Sequence, residues 1–360
     1  MSENGEGRGA RGEGRGARDE SRTSPPLGGP DSGSRPSSIV PQPTRLPPRP
    51  SAAWLRFKRN RPAVLSAWVL TALLLLVAGW PAARKIAALT GPRGARFSQN
   101  YDPDHLSDEQ FRPPGGRHWF GTDVHGRDLL SRVLCGAQVS LLVGLVGAGV
   151  SLVLGVLWGA VAGYAGGRLD SLMMRFVDIL YSLPSIIFVI VLLTTLEGVL
   201  KKWLGGVAAP GLDRTVRLWF LFVGLGAVSW LTMARIVRGQ VLSLRQRAFV
   251  EASRALGAGP AHILWRHIIP NTLGVVIVYL TLTVPAIMLY ESFLSYLGLG
   301  VQPPMASWGS LIAEGADQMN PIRIYWWLIA FPAGFLVTTL LALNFLGDGL
   351  RDAWDVRAGN

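Results

Sequence analysis

I-I-P-N-T-L-G-V-V-I-V-Y-L-T-L-T-V-P-A-I-M-L-Y, residues 268–290, carries no Asp, Glu, Lys or Arg. A helix needs about 20 such residues to cross the hydrocarbon core of a bilayer, so this stretch is long enough to span. Five further charge-free intervals have the same character: Ala63–Trp80, a run within Val133–Gly167, Ile179–Leu196, Leu218–Ala234 and Ile324–Gly347. Each mid-membrane charge would cost several kcal/mol, which is why the spacing of charges is the informative measurement here. The composition agrees, with 49% hydrophobic residues, 16% charged and a mean hydropathy of +0.31. The chain reads as an all-α membrane protein with six transmembrane helices. A seventh charge-free stretch, Ser292–Ala313, is broken by Gly298, Gly300, Pro303 and Pro304 and reads as a re-entrant or vestibule loop packed on protein.

Residues 1–50 are rich in Gly, Arg, Pro and Ser and repeat the heptapeptide GEGRGAR at 5–11 and 12–18. Such a segment buries too little surface to offset its backbone entropy and reads as a disordered tail. The first apolar run begins after residue 62 with no small-residue cleavage site behind it, unlike a secretory leader. An Arg-Gly tract leaves open a rival reading, a membrane-anchored scaffold or RNA-tethering protein. The net charge of +12 resolves into two places: twelve basic and six acidic residues through Arg61, and six basic residues with one acid from Arg235 to Arg266. Both belong on the cytoplasmic side by the positive-inside rule, which puts the N and C termini inside and makes the charge a matter of topology rather than of nucleic acid. The domain boundaries expected are therefore the tail at 1–50, an anchor and first span at 51–80, an extracytoplasmic segment at 81–135, and a transmembrane domain at 136–355.

Catalysis has few candidates. None of Lys58, Lys85, Lys201 or Lys202 stands in a phosphate-binding G-x-x-x-x-G-K-[ST] context, and the single cysteine, Cys135, excludes an internal disulfide. The expected intervals hold no central carboxylate of the kind coupled carriers use. His118, Asp123, His125 and Asp128 cluster outside, yet their spacing suits caps and surface pairing at the mouth of the second span better than a metal. Asp178 and Glu291 read as interfacial, at span edges. Gly147, Ser151, Gly155, Gly159 and Gly163 recur every fourth position, a stripe for close helix packing in preference to a pore lining.

The segment 248–270 is the most specific. A short helix puts Phe249, Ala252 and Leu256 on one face, Gly257 to Gly259 supply a turn tolerant of positive φ, and Pro260 opens a second short helix running to Ile269. The product is a compact knob suited to docking, although an ordinary connecting loop has the same elements. Glu251-Ala252-Ser253, three residues, Gly257, nine residues, then His267-Ile268-Ile269-Pro270 resembles the E-A-A-x3-G-x9-I-x-L-P coupling loop of binding-protein-dependent ABC importer permeases. Ser253, His267 and Ile269 depart from the general pattern, and His-Ile-x-Pro-Asn is the form of the peptide and nickel branch. Two further segments resemble that branch: Gly121-Thr122-Asp123-x-x-Gly126-Arg127-Asp128, and Glu291 through Gly298, Gly300, Pro303, Pro304 and Trp308 to Gly309.

The resemblance spans about residues 50–355 and implies a type I ABC importer permease in the cytoplasmic membrane. It also implies a homologous second permease subunit, two cytoplasmic ATPase subunits and an extracytoplasmic substrate-binding protein. ATP and Mg would be used by the ATPases, with no cofactor, metal or catalytic residue in this chain. The cargo implied is a dipeptide or oligopeptide, with nickel or another small solute as the alternative.

Overall fold

In the computed structural model of the protein, residues 50–203 and 212–354 are described. The tail with its tandem heptapeptide lies outside them. Twelve α-helices follow one another among the described residues: α1 Pro50–Arg59, α2 Arg61–Leu89, α3 Pro92–Asn100, α4 Leu129–Ala165, α5 Gly167–Tyr181, α6 Ser185–Trp203, α7 Leu212–Leu244, α8 Ala248–Ala255, α9 Pro260–Ile263, α10 Ile269–Tyr296, α11 Trp308–Asp317 and α12 Trp327–Trp354. A π-turn, Leu264–Ile268, joins α9 to α10.

Five helical segments are long and apolar enough to cross a membrane: Arg61–Leu89, Leu129–Ala165, Leu218–Leu244, Pro260–Tyr296 and Trp327–Ala353. They coincide with five of the six expected spans, and each begins or ends elsewhere than its charge-free interval. The first continues past Trp80 to Leu89, and the second begins at Leu129, seven residues before the boundary at 136. The third expected span, Ile179–Leu196, is not one helix. α5 stops at Tyr181, the chain bends by 94°, and α6 starts at Ser185, so the pair counts as a sixth span only as a broken one. Pro184 supplies the reason: it has no N–H to donate and disfavours helical geometry at Leu183, while its own carbonyl accepts from Phe188 at 3.0 Å and starts the next helix.

The small-residue stripe of α4 lies against α7. A Cβ at Gly155 would fall 2.5 Å from the Met233 side chain, one at Gly159 would strike the carbonyl oxygen of Ala234, and one at Gly163 would sit 2.9 Å from that of Arg238. Backbone therefore meets backbone over successive turns, as the packing reading requires. Replacing Gly159 by Leu must push α7 away, an overpacking cost of about 1–3 kcal/mol. Gly149, whose Cβ meets nothing within 4 Å, accepts Leu without loss. Melting temperatures of the two variants in detergent check this; equal values would contradict it.

α5 is clamped to α7 by Arg238, which donates to both oxygens of Asp170 at 2.5 and 2.7 Å, and by Arg235, which donates to Asp178 at 2.7 Å and covers the Tyr181 ring. Asp178 is exposed at a helix end, as expected of an interfacial residue. Large apolar side chains such as Leu65, Trp68 and Leu75 on α2, Leu145 on α4 and Leu341 on α12 point outward. Helices apolar on their outer as well as inner faces suit a hydrocarbon solvent.

Candidate functional site

The knob is built as an exposed loop on a buried footing. α8 ends in two hydrogen bonds, Ala258 N–H to the Ser253 carbonyl at 3.1 Å and Gly257 N–H to the Arg254 carbonyl at 2.9 Å. With Gly257 at φ +85°, this is a Schellman closure, which needs a residue free of Cβ strain at that position. Pro260 then starts α9, as its fixed φ and missing N–H favour. Val250, Ile263 and Ile268 are fully buried in a cluster with Met233, Val237, Val241 and Val276. They seat the knob on α7 and α10. Phe249, Glu251, Ala252, Arg254 and Gly257 stay exposed, with Leu256 at 89% and Trp265 at 60%. Phe249, Ala252 and Leu256 thus remain on the outer side, and the anchoring role falls to Val250, which an apolar-face count over so short a helix does not single out.

The second short helix does not stop at Ile269. Ile269 N–H donates to the Leu264 carbonyl, an i to i−5 bond, and the chain passes without a break from Pro260 to Tyr296. Pro270 cannot donate to the carbonyl four residues back, and the wider π-turn just before it accommodates that gap. The His267 carbonyl accepts from the Asn271 side chain at 2.6 Å, and that of Ile269 from Thr272 Oγ1 at 2.8 Å. Pro270 therefore lies within a continuous rod and does not end a helix.

At the other end of the bundle, the Gly121–Asp128 segment forms a buried polar cluster rather than surface pairing. Gly121 and Gly126 take positive φ, at +80° and +71°. Thr122 Oγ1 accepts from Arg112 N–H at 2.8 Å and donates to the Glu109 carbonyl. Asp123 Oδ1 accepts from the backbone N–H of His125 and Arg127, and Oδ2 from Arg127 Nε and Arg132 Nη1, all at 2.7–2.9 Å. Asp128 caps α4 through Ser131 N–H at 2.9 Å and pairs with His118 Nδ1 at 2.9 Å. Arg132 forks onto Glu314 of α11 at 2.5 and 3.0 Å. Asp123, Asp128 and Arg132 are at most 4% exposed, because α11 and α12 close over them. His125 is exposed while His118 is buried, so the two imidazoles face different surroundings. Hydrogen bonding from Arg112 holds the Glu109 carboxyl below the usual carboxylate range against the opposing effect of burial.

Glu291 departs furthest from expectation. It is fully buried, not interfacial: Oε1 accepts from Ser295 Oγ at 2.7 Å and Oε2 from Ser140 Oγ at 3.3 Å, while Ser307 lies 3.3 Å from Ser295. The reason is the following loop. Gly298 at φ +77° closes α10 with a second Schellman pair, and the chain folds back over the helix end. Gly300 and Gly309 lie where a Cβ would collide with the Ser295 and Ser292 backbone. Pro303 and Pro304, joined by a cis peptide bond, lie in this loop, and Ser307 caps α11. Trp308 is fully buried, its Nε1 donating to the Val133 carbonyl at 3.0 Å and its backbone N–H to Ser140 Oγ at 3.1 Å. The stretch after the fifth span is thus a loop packed on protein, as its glycines and prolines indicate, and Glu291 is the acceptor at its centre.

Comparison with known proteins adds the context. A family model described as binding-protein-dependent transport system inner membrane component matches residues 155–359, and one described as the N-terminal TM domain of oligopeptide transport permease C matches residues 51–114. The oligopeptide transport system permease protein OppC of Haemophilus influenzae is 44% identical over 303 residues, covering 83% of this chain and 86% of that protein. The dipeptide transport system permease protein DppC of Bacillus subtilis is 41% identical over 304 residues, covering 84% of each. Among solved structures, a chain of the inward-facing MetNI methionine ABC transporter is 21% identical with a TM-score of 0.47, covering 62% of this chain and 97% of that one.

Proposed function

The chain belongs to the family of binding-protein-dependent transport system inner membrane components, multi-pass permease subunits of the membrane, and from that premise we propose that it forms half of the translocation path of an ATP-driven importer of dipeptides or oligopeptides. A homologous second permease forms the other half. An extracytoplasmic binding protein delivers the peptide, and two cytoplasmic ATPases, using ATP and Mg, receive the 248–270 knob of this chain. The six basic residues from Arg235 to Arg266, which flank and enter the knob, and those of the N-terminal region favour the cytoplasmic side for both.

The observation that carries this reading is the uninterrupted rod from the exposed turn at Gly257–Gly259 through α9, the π-turn and α10 to Tyr296, ending beside Glu291 and the loop that covers it. A motion imposed on the knob reaches the far end of the bundle because the footing of Val250, Ile263 and Ile268 is buried and the helix is continuous. An ATPase can shift the inward- and outward-facing populations only by its differential affinity for them, so the coupling element has to be stiff. The docking residues are Glu251, Ala252, Ser253 and Gly257, with His267 in the π-turn and Ile269 and Pro270 in the first turn of α10.

The cargo follows from relatives that are oligopeptide and dipeptide transport permeases, and it is tested directly. Proteoliposomes holding this chain, its second permease, the ATPases and the binding protein are given radiolabelled oligopeptide or nickel with ATP. Saturable, ATP-dependent accumulation of peptide is the expected result. Accumulation of nickel without peptide would replace the cargo assignment, and activity that survives omission of the ATPases would overturn the importer reading itself.

A further inference from the structure

We propose that α1 and the first residue of α2 form a binding site for anionic phospholipid headgroups in the leaflet at the N-terminal end of α2. α1 is joined to α2 by Asn60 alone, whose side chain caps α2 by accepting from Ala63 N–H at 3.3 Å and donates to Asp352 of α12 at 3.3 Å. Among the described side chains of α1, Phe57 is the buried one, in a cluster with Ala63 and Ala353, and Gly349 of α12 lets that cluster close. A ten-residue helix is marginal by itself, so this docking is what holds α1 in place, at the ends of two spanning helices and hence at headgroup depth.

What α1 presents outward matches an anionic interface. Trp54 is 57% exposed and Leu55 67%, beside a bilayer end where an indole and an aliphatic side chain partition well. Lys58 Nζ sits 5.2 Å from the Trp54 ring centre, pairing a cation with an interfacial aromatic. Arg59 and Arg61 are exposed, and no Asp or Glu occurs between Pro50 and Leu89. Guanidinium groups bind phosphate oxygens in pairs, and each cation close to an anionic leaflet adds to the attraction. Charge complementarity and direct continuity with a spanning helix favour a lipid headgroup over any soluble partner for this patch.

The test uses the full chain, purified in a neutral detergent and analysed by native mass spectrometry with added phosphatidylglycerol or phosphatidylcholine. The native chain should retain phosphatidylglycerol at concentrations about tenfold lower than phosphatidylcholine, and the preference should shrink as salt rises from about 0.05 to about 0.5 M. K58Q/R59Q/R61Q should lose the preference, whereas K58R/R59K/R61K, which keeps the charges, should retain it; the second variant separates lost recognition from lost folding. R93Q/R96Q, at exposed cations of α3 beyond the other end of α2, should leave the preference intact. Equal retention of the two lipids by the native chain, or survival of the preference in the Gln triple variant, overturns the proposal. So does tighter binding of a single-stranded RNA oligonucleotide that displaces phosphatidylglycerol and is lost in the same variant.

Discussion

Gly257→Trp and Glu251→Arg should each leave the chain folded while reducing ATP-driven uptake by the reconstituted importer at least about tenfold, the loss that 1.4 kcal/mol of weakened coupling produces. The two substitutions act differently. A Cβ at Gly257 meets nothing within 4 Å, so the side chain does not fill the turn from inside; it points into open space where a docking surface would close. The backbone cost of a non-glycine residue at φ +85° is about 1–2 kcal/mol and local to the knob. Gly257→Asn, which tolerates left-handed geometry and adds little bulk, should retain most of the uptake, whereas Gly257→Trp should not. Glu251 is exposed in the first turn of α8, where a carboxylate complements the helix dipole by about 0.3–1 kcal/mol, too little for its loss to unfold the protein. Basal ATPase with no transport in both variants is the expected pattern. Wild-type uptake in either, at an unchanged melting temperature, removes the docking assignment from that residue.

The largest effect on stability should come from Arg132→Ala. Arg132 is 2% exposed and its guanidinium serves Asp123 and Glu314 together, so it ties the first turn of α4 to α11. Removing it leaves Asp123, itself 4% exposed, short of one partner and Glu314 without its fork. Breaking one side of a buried ionic cluster costs about 3–5 kcal/mol, against well under 1 for an exposed pair. The Arg132→Leu/Glu314→Leu double variant should recover much of that loss, because replacing both partners by apolar groups avoids stranding a charge. Detergent melting curves of the single and double variants decide the matter; a single variant within about 1 kcal/mol of wild type would mean that the cluster is solvated and weak.

Gly257 and Gly298 show how much was legible in advance. Each stands just after a helical stretch, followed by residues that cannot continue it, and each adopts the positive φ that closes a Schellman motif. The every-fourth-residue stripe of α4 was legible for the same kind of reason, since small side chains at i and i+4 share one face regardless of what packs there. The stop at Pro184 was not: it lies inside the charge-free interval read as one span, because the spacing of charges does not register a missing N–H, and the direction in which α6 leaves α5 is not a local property.

Glu291 and Asp123 show the limit. The chain marks Glu291 as the end of a charge-free interval, and only the return of the loop through Gly300 to Trp308 turns that end into a serine-lined interior. Asp123 looked like a surface partner because its ligands in sequence are near neighbours; its burial depends on Glu314 and α12, nearly two hundred residues away. The apolar spans, their number apart from the broken one, and the glycine turn of the 248–270 knob were determined by the sequence alone, since they rest on local periodicity and local backbone freedom. Which polar groups are buried, and that the helix runs on through Pro270 over a buried footing, was decided by the tertiary structure, because burial and stiffness belong to contacts between segments that no local pattern contains.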